Sequence, residues 1–194
     1  NGTLNVSDGA LLDIKNGEES NQNTSGPGLQ IGHEPQSQGQ LLVDDAKIRI
    51  HQESFIVEFG PFFQVGDGGN GTATVRNGGV IELDGPLSNV QVGEFEDGQG
   101  GTGDLSIESN GRVESLFFNI GSGAGSAGTV TVNGEGSQLV AEGTAGVSSG
   151  SEFGNGAFVT VGRNGTGTLR VEDGGDVGIT TQEGDFPGFH VGRN

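Results

Sequence analysis

Apolar and polar residues alternate in short runs along the whole chain. Leu4/Val6, Val130/Val132 and Leu169/Val171 each fall on one side of an extended segment, with Thr, Asn or Arg on the other. Such period-two runs predict short β-strands with one buried face. Turn sequences separate them, among them Ser7-Asp8-Gly9, Asn77-Gly78-Gly79 and Glu172-Asp173-Gly174-Gly175. In the first stretch the predicted strands cover residues 3–6, 10–14 and 29–31. No segment carries a 3.6-residue apolar stripe, and glycine is dense nearly everywhere, so helices are not expected.

The runs repeat. Val65-Gly66-Asp67-Gly68-Gly69-Asn70-Gly71-Thr72-Ala73-Thr74-Val75 and Val161-Gly162-Arg163-Asn164-Gly165-Thr166-Gly167-Thr168-Leu169-Arg170-Val171 share one frame. It reads as a Val-Gly closer, a polar glycine loop, a Gly-Thr strand opener, and an apolar continuation. Openers stand at Gly2, Gly39, Gly71, Gly103, Gly128 and Gly167, and closers at Gly32, Gly66, Gly93, Gly121, Gly162 and Gly192. Successive openers lie 37, 32, 32, 25 and 39 residues apart. A regular frame with uneven spacing places the insertions in loops and not in strands. The last residues, Val191-Gly192-Arg193-Asn194, repeat residues 161–164, and Asn1-Gly2-Thr3-Leu4 would continue them almost without a seam. A segment of a longer tandem array, or units that join head to tail, is therefore expected.

One unit of this length cannot bury its own apolar face, whereas stacked units bury a continuous inner column, with coils about 4.8 Å apart. The predicted fold is all-β: a parallel, right-handed β-helix, or β-solenoid, of about six three-sided coils in one domain spanning residues 1–194. The hand follows from the rule for parallel crossovers. A six-bladed propeller is the rival. Its blades need four strands and about 40 residues with aromatic signatures, and this chain has neither Trp nor Tyr.

The frame from Val161 to Gly175, together with Gly128-Thr129-Val130-Thr131-Val132-Asn133-Gly134-Glu135-Gly136-Ser137-Gln138-Leu139, resembles the repeats of bacterial autotransporter passengers and PEP-CTERM-associated surface proteins. Leu139 stands where a Trp is common in those repeats. The resemblance implies export to the bacterial cell surface, a β-helical passenger, and an adhesive or matrix role. It supplies no catalytic residues.

Composition narrows the partners. Among 194 residues there are 26 acidic and 8 basic side chains, a net charge of −18. That field repels phosphate backbones and anionic lipid, so neither nucleic-acid binding nor membrane insertion is expected. It favours divalent cations, basic partners, and solubility of a long β-rich polymer. The chain has no cysteine, which excludes disulfides and thiolate metal sites.

The chemistry-bearing residues are sparse. Acids occupy turn positions, where Asp is a turn former first. The calcium candidates are Asp97, Asp104, Asp173 and Asp176. The tract Gly98-Gln99-Gly100-Gly101-Thr102-Gly103-Asp104-Leu105 is similar to a calcium nonapeptide, with its Asp one position early. No cofactor is expected other than calcium held by such acidic turns. His33, His51 and His190 lie at no metal-ligand spacing. Phe55, Phe59, Phe62 and Phe63 interrupt the frame and are the candidate interaction patch. The expected function is structural and non-catalytic: an extracellular stalk, adhesin passenger or fibre subunit, self-associating or in tandem copies end to end, with carbohydrate or the cell surface as further partners. A polysaccharide-binding or polysaccharide-cleaving β-helix is the alternative, and carboxylates gathered on one face would favour it.

Overall fold

A computed structural model describes residues 1–16, 26–52, 60–96, 98–143, 156–181 and 187–193. The first coil holds β1 (Gly2–Ser7), β2 (Leu11–Lys15) and β3 (Gly28–Ile31). The second holds β4 (Gln38–Asp44), β5 (Lys47–His51) and β6 (Phe62–Asp67). The third holds β7 (Asn70–Arg76), β8 (Val80–Asp84) and β9 (Asn89–Glu96), followed by the short β10 (Gln99–Gly100). The fourth holds β11 (Thr102–Glu108), β12 (Arg112–Ser115) and β13 (Phe117–Ser122). The fifth holds β14 (Ala127–Asn133), β15 (Gln138–Glu142) and β16 (Phe158–Arg163). The sixth holds β17 (Thr166–Glu172), β18 (Asp176–Thr180) and β19 (Gly188–Arg193).

Strands of equal rank stack into three sheets. The first sheet runs β1-β4-β7-β11-β14-β17, the second β2-β5-β8-β12-β15-β18, and the third β3-β6-β9-β13-β16-β19. Every pair along these paths is parallel; β10 alone pairs antiparallel, with β9. Among the described residues there is no helix. The protein is a parallel β-helix. Radial blades are ruled out, because no sheet is made of sequence-adjacent strands.

Register fixes which side chains meet. The openers Gly2, Gly39, Gly71, Gly103, Gly128 and Gly167 form one column of the first sheet. The residues before the closers, Ile31, Val65, Val92, Ile120, Val161 and Val191, form a column of the third. Inward positions repeat in kind: Val6, Val43, Val75, Ile107, Val132 and Val171 in the first sheet, and Leu12, Ile48, Ile81, Val113, Leu139 and Val177 in the second. In the middle coils these side chains are fully buried, each contributing roughly 1.5–3 kcal/mol over the exposed state. The core is a stack of like residues.

The three corners differ. From first to second sheet the turn is tight in every coil. Asp8, Asp45, Asn77, Asn110 and Asp173 turn there with φ of 58°, 48°, 52°, 64° and 49°. Asn and Asp tolerate that left-handed region because the short side chain can bond the local backbone. The turn role expected for Asp8 and Asp173 is what their backbone adopts. From third to first sheet the chain passes through the closer and opener glycines, backbone against backbone. A Cβ on Gly121 (φ 69°) would lie 2.1 Å from the carbonyl oxygen of Thr166, and one on Gly128 would lie 1.9 Å from that of Val92. From second to third sheet the connection varies from the single residue Leu116 to residues 143–157. The unequal unit lengths arise chiefly at this corner.

Two glycines separate conformation from contact. Gly9 has φ 73° and open space around a would-be Cβ, whereas Gly121 has similar φ and no room. Gly9→Ala is expected to cost about 1 kcal/mol, the left-handed penalty alone. Gly121→Ala should cost about 3 kcal/mol or more, because the backbone of the next coil must move. Urea midpoints of the two variants check this; equal losses would refute the packing role of Gly121.

Candidate functional site

The sequence-predicted residues do not converge. Asp97, Phe55 and Phe59 lie outside the described residues. Asp104 points outward from β11 in the fourth coil, whereas Asp173 turns and Asp176 opens β18 in the sixth. The stretch similar to a calcium nonapeptide folds back instead, with Gln99 and Gly100 of β10 paired to Glu96 and Phe95 of β9. Among the described residues no group of three or more His, Cys, Asp or Glu is placed to hold a metal ion. His33 and His190 belong to the first and last coils and to different columns.

The phenylalanine patch divides by strand alternation. Phe63 points inward and is fully buried, so it fills the core instead of meeting a partner. Phe62 points outward and is half-buried, its ring lying where Gly28 leaves space in the coil above. Two coils further along the same outward column, Phe117 and Phe158 stack with ring centroids 4.3 Å apart. Both are buried.

Polar ladders line two outer faces. On the third sheet Gln30 donates to Gln64 (2.7 Å), Gln64 to Gln91 (2.8 Å), and Gln91 to Glu94 (3.0 Å). Beside the first rung, His33 Nδ1 lies 2.8 Å from the buried carboxylate of Asp67, which also accepts from Gln30 (3.1 Å). On the second sheet charges interleave. Glu82 receives Lys47 and Arg49, Asp84 receives Arg49 (2.8 Å), and Glu114 receives Arg112 (2.9 Å). The hydrogen bond to Asp84 raises the Arg49 pKa above its ordinary value, burial opposes the rise, and the charges of Asp84, Glu82 and Asp13 add to it. At the first corner, Asp44 accepts from Asn77 (2.8 Å) and from Arg76 (2.9 Å). These bonds, Asn77 first and then Arg76, hold its carboxyl below the usual aspartate range.

One concave site emerges at the corner from second to third sheet. Residues 85–88 and Leu116 close that corner in the third and fourth coils, while the second and fifth coils spend residues 52–61 and 143–157 on it. A cleft of about 400 Å³ lies at this corner of the third and fourth coils, lined by Glu82, Asp84, Glu114, Glu142, Ser88 and Ser115, among others. Glu142 is unpaired among the described residues. Ser115 is 1% exposed, and its Oγ has no hydrogen-bond partner. A second hollow, of about 410 Å³, opens at the free edge of the first coil against Leu4, Leu29 and Ile31.

The scattered acids Asp8, Asp173 and Asp176 drew attention in the sequence, whereas Glu82, Glu114 and Glu142 did not. Their signal is positional: Glu82 and Glu114 occupy one rung of the second sheet, and Ser115 interrupts an otherwise apolar inner column. No family model, no curated protein and no solved structure matches this chain.

The lowered pKa of Asp44 sets a pH dependence. A carboxyl with a depressed folded-state pKa adds stability that is present above its unfolded value and lost as pH falls through the folded value. The stability gap between wild type and Asp44→Asn should therefore hold from neutral pH down to the ordinary aspartate value of 3.8, then close on further acidification. Urea midpoints across a pH series read it; a gap that widens in acid would contradict the assignment.

Proposed function

We propose that this chain is a structural, non-catalytic section of an extracellular β-solenoid, a surface stalk, adhesin passenger or fibre subunit, to whose ends further coils add head to tail. The observation that carries this reading is the inner column at the two free edges. At the C-terminal edge the inward residues Val171, Phe189 and Val191 are 48%, 51% and 71% exposed, although their counterparts within the stack are buried. At the N-terminal edge Leu4, Leu12, Ile14 and Leu29 pack on one side only. The strands β1, β2 and β3, like β17, β18 and β19, each have a partner in their sheet on one side. Unpaired edges with an apolar face recruit another strand layer.

An added coil keeps the register already present. Val191 would lie over an Ile31 equivalent, Phe189 over Leu29, Val171 over Val6 and Leu169 over Leu4, as Val161 lies over Val191 and Phe63 under Leu29 within the chain. The mechanism is mechanical: main-chain bonds along the axis and stacked apolar side chains give a stiff spacer. The net charge of −18 keeps parallel rods apart sideways while leaving the ends to meet. The likeness to autotransporter and PEP-CTERM-associated repeats supports export to a bacterial surface.

End-to-end association is expected to grow with concentration in sedimentation velocity, with lengthening rods in negative-stain micrographs. Phe189→Asp combined with Val191→Asp should abolish it without changing the far-UV spectrum. A wild type that stays a single short rod at every concentration would count against addition of a second chain.

A further inference from the structure

Resting on the end-to-end reading above, we infer that the edge of the first coil is a docking surface for the closing Val-Gly of a second copy, and that Gly2 is the residue that admits it. The interior of the stack shows what seats at such an edge. A Cβ on Gly71 would fall inside contact distance of the Ile31 oxygen and the Gly66 nitrogen, and one on Gly103 inside that of the Val65 oxygen and the Gly93 nitrogen. Gly128 meets the Val92 oxygen and the Gly121 nitrogen in the same way, and Gly167 the Ile120 oxygen and the Gly162 nitrogen. Each interior opener thus touches the closer one coil back through its nitrogen, and the closer two coils back through the preceding carbonyl.

The two ends lack these contacts in the same order. Gly39 meets the Gly32 nitrogen of the coil before it, and Gly2 has nothing within 4 Å among the described residues. At the other end, Gly32, Gly66, Gly93 and Gly121 meet the carbonyl oxygens of Asn70, Thr102, Ala127 and Thr166, whereas Gly162 has nothing closer than 3.5 Å and Gly192 nothing within 4 Å. A left-handed φ accounts for glycine at 162 and 192, but the φ of Gly2 lies outside that region. Glycine in a strand lowers stability relative to a residue with a side chain. Neither backbone nor packing within the chain requires it at position 2, so the contact that does comes from a further coil.

That coil is one of this chain's own kind. Placed by the register of the stack, the Gly192 nitrogen and Val161 oxygen of a second copy would meet Gly2, and its Val191 oxygen would meet Gly39. In return the Asn1 oxygen would meet the second copy at Gly162 and the Gln38 oxygen at Gly192. A hollow of about 410 Å³ lies at this edge, lined by Gly2, Leu4, Ile31, Gly32 and Gly39 among others, where the crossing backbone runs between interior coils. A partner with side chains at its crossover does not fit there; a Val-Gly closer does.

The test compares two end-coil glycines with open space around a would-be Cβ, Gly2 and Gly178. Gly178 continues the outward column Asp13, Arg49, Glu82, Glu114 and Val140, whose members all carry side chains, so a side chain there does not obstruct a joint. In sedimentation velocity of the intact chain, Gly2→Val should weaken end-to-end association by about tenfold or more, and Gly178→Val should leave it at wild-type strength. In dilute solution neither variant should unfold at lower urea than wild type. Association of Gly2→Val at wild-type strength, or equal loss in both variants, would overturn the docking role of Gly2 while end-to-end addition stands. If separate wild-type chains do not associate, addition of a second chain fails, and the role of Gly2 is read in a tandem polypeptide of two copies. One glycine at the joint restores the five-residue step from closer to opener seen from Gly66 to Gly71 and from Gly162 to Gly167. There Gly2→Val in the second copy should lower the urea midpoint of the tandem and not that of the single chain; an unchanged tandem midpoint would overturn the assignment. Gly2→Ala carries the same comparisons should Gly2→Val fail to fold.

Discussion

The structure depends on one close approach. At each passage from the third sheet to the first, the chain runs over its neighbour with no side chain between. A Cβ on Gly103 would lie 2.0 Å from the Val65 carbonyl oxygen, and one on Gly167 would lie 2.3 Å from the Gly162 nitrogen. Because the two glycines meet in every coil, the crossover has the same height each time, and all three sheets inherit one register. The uniform ladders of valine, isoleucine and leucine follow from that spacing. So does the contrast with the opposite corner, where chain length is free because nothing crosses there.

Much of this was written in the residues. The opener and closer glycines mark the contact itself, and they align in the structure as they align in the sequence. Period-two alternation gave the inner columns, since a strand exposes alternate faces whatever its neighbours. Asp8 and Asp173 were readable as turn formers because local backbone chemistry decides that role. The fold was legible because its determinants are local and repeated.

The cleft was not legible, for a physical reason. Glu82, Asp84, Glu114 and Glu142 come from three coils, and only the stacking of those coils in the second sheet brings them to one hollow. Single residues carry no mark of that. Phe63 shows the same limit on a smaller scale. Within the run Phe62-Phe63 one ring packs inward and the other outward, and a one-residue shift in strand phase would exchange them. The glutamine rungs Gln30, Gln64 and Gln91 are an intermediate case. They stand one residue before the Ile or Val that precedes each closer, so superposing the units reveals the column, although not its bonding to Glu94.

Parallel stacking in a common register makes each coil interchangeable at its two interfaces. Removing or duplicating one whole turn of the helix sets glycine against glycine at the openers and Val or Ile against Val or Ile in the inward column of Val6, Val43, Val75, Ile107, Val132 and Val171. Recombination between units can therefore lengthen or shorten the rod by a fixed step without redesign of its interior. A gene built this way adjusts reach by copy number, while the permissive corner accumulates sequence novelty independently.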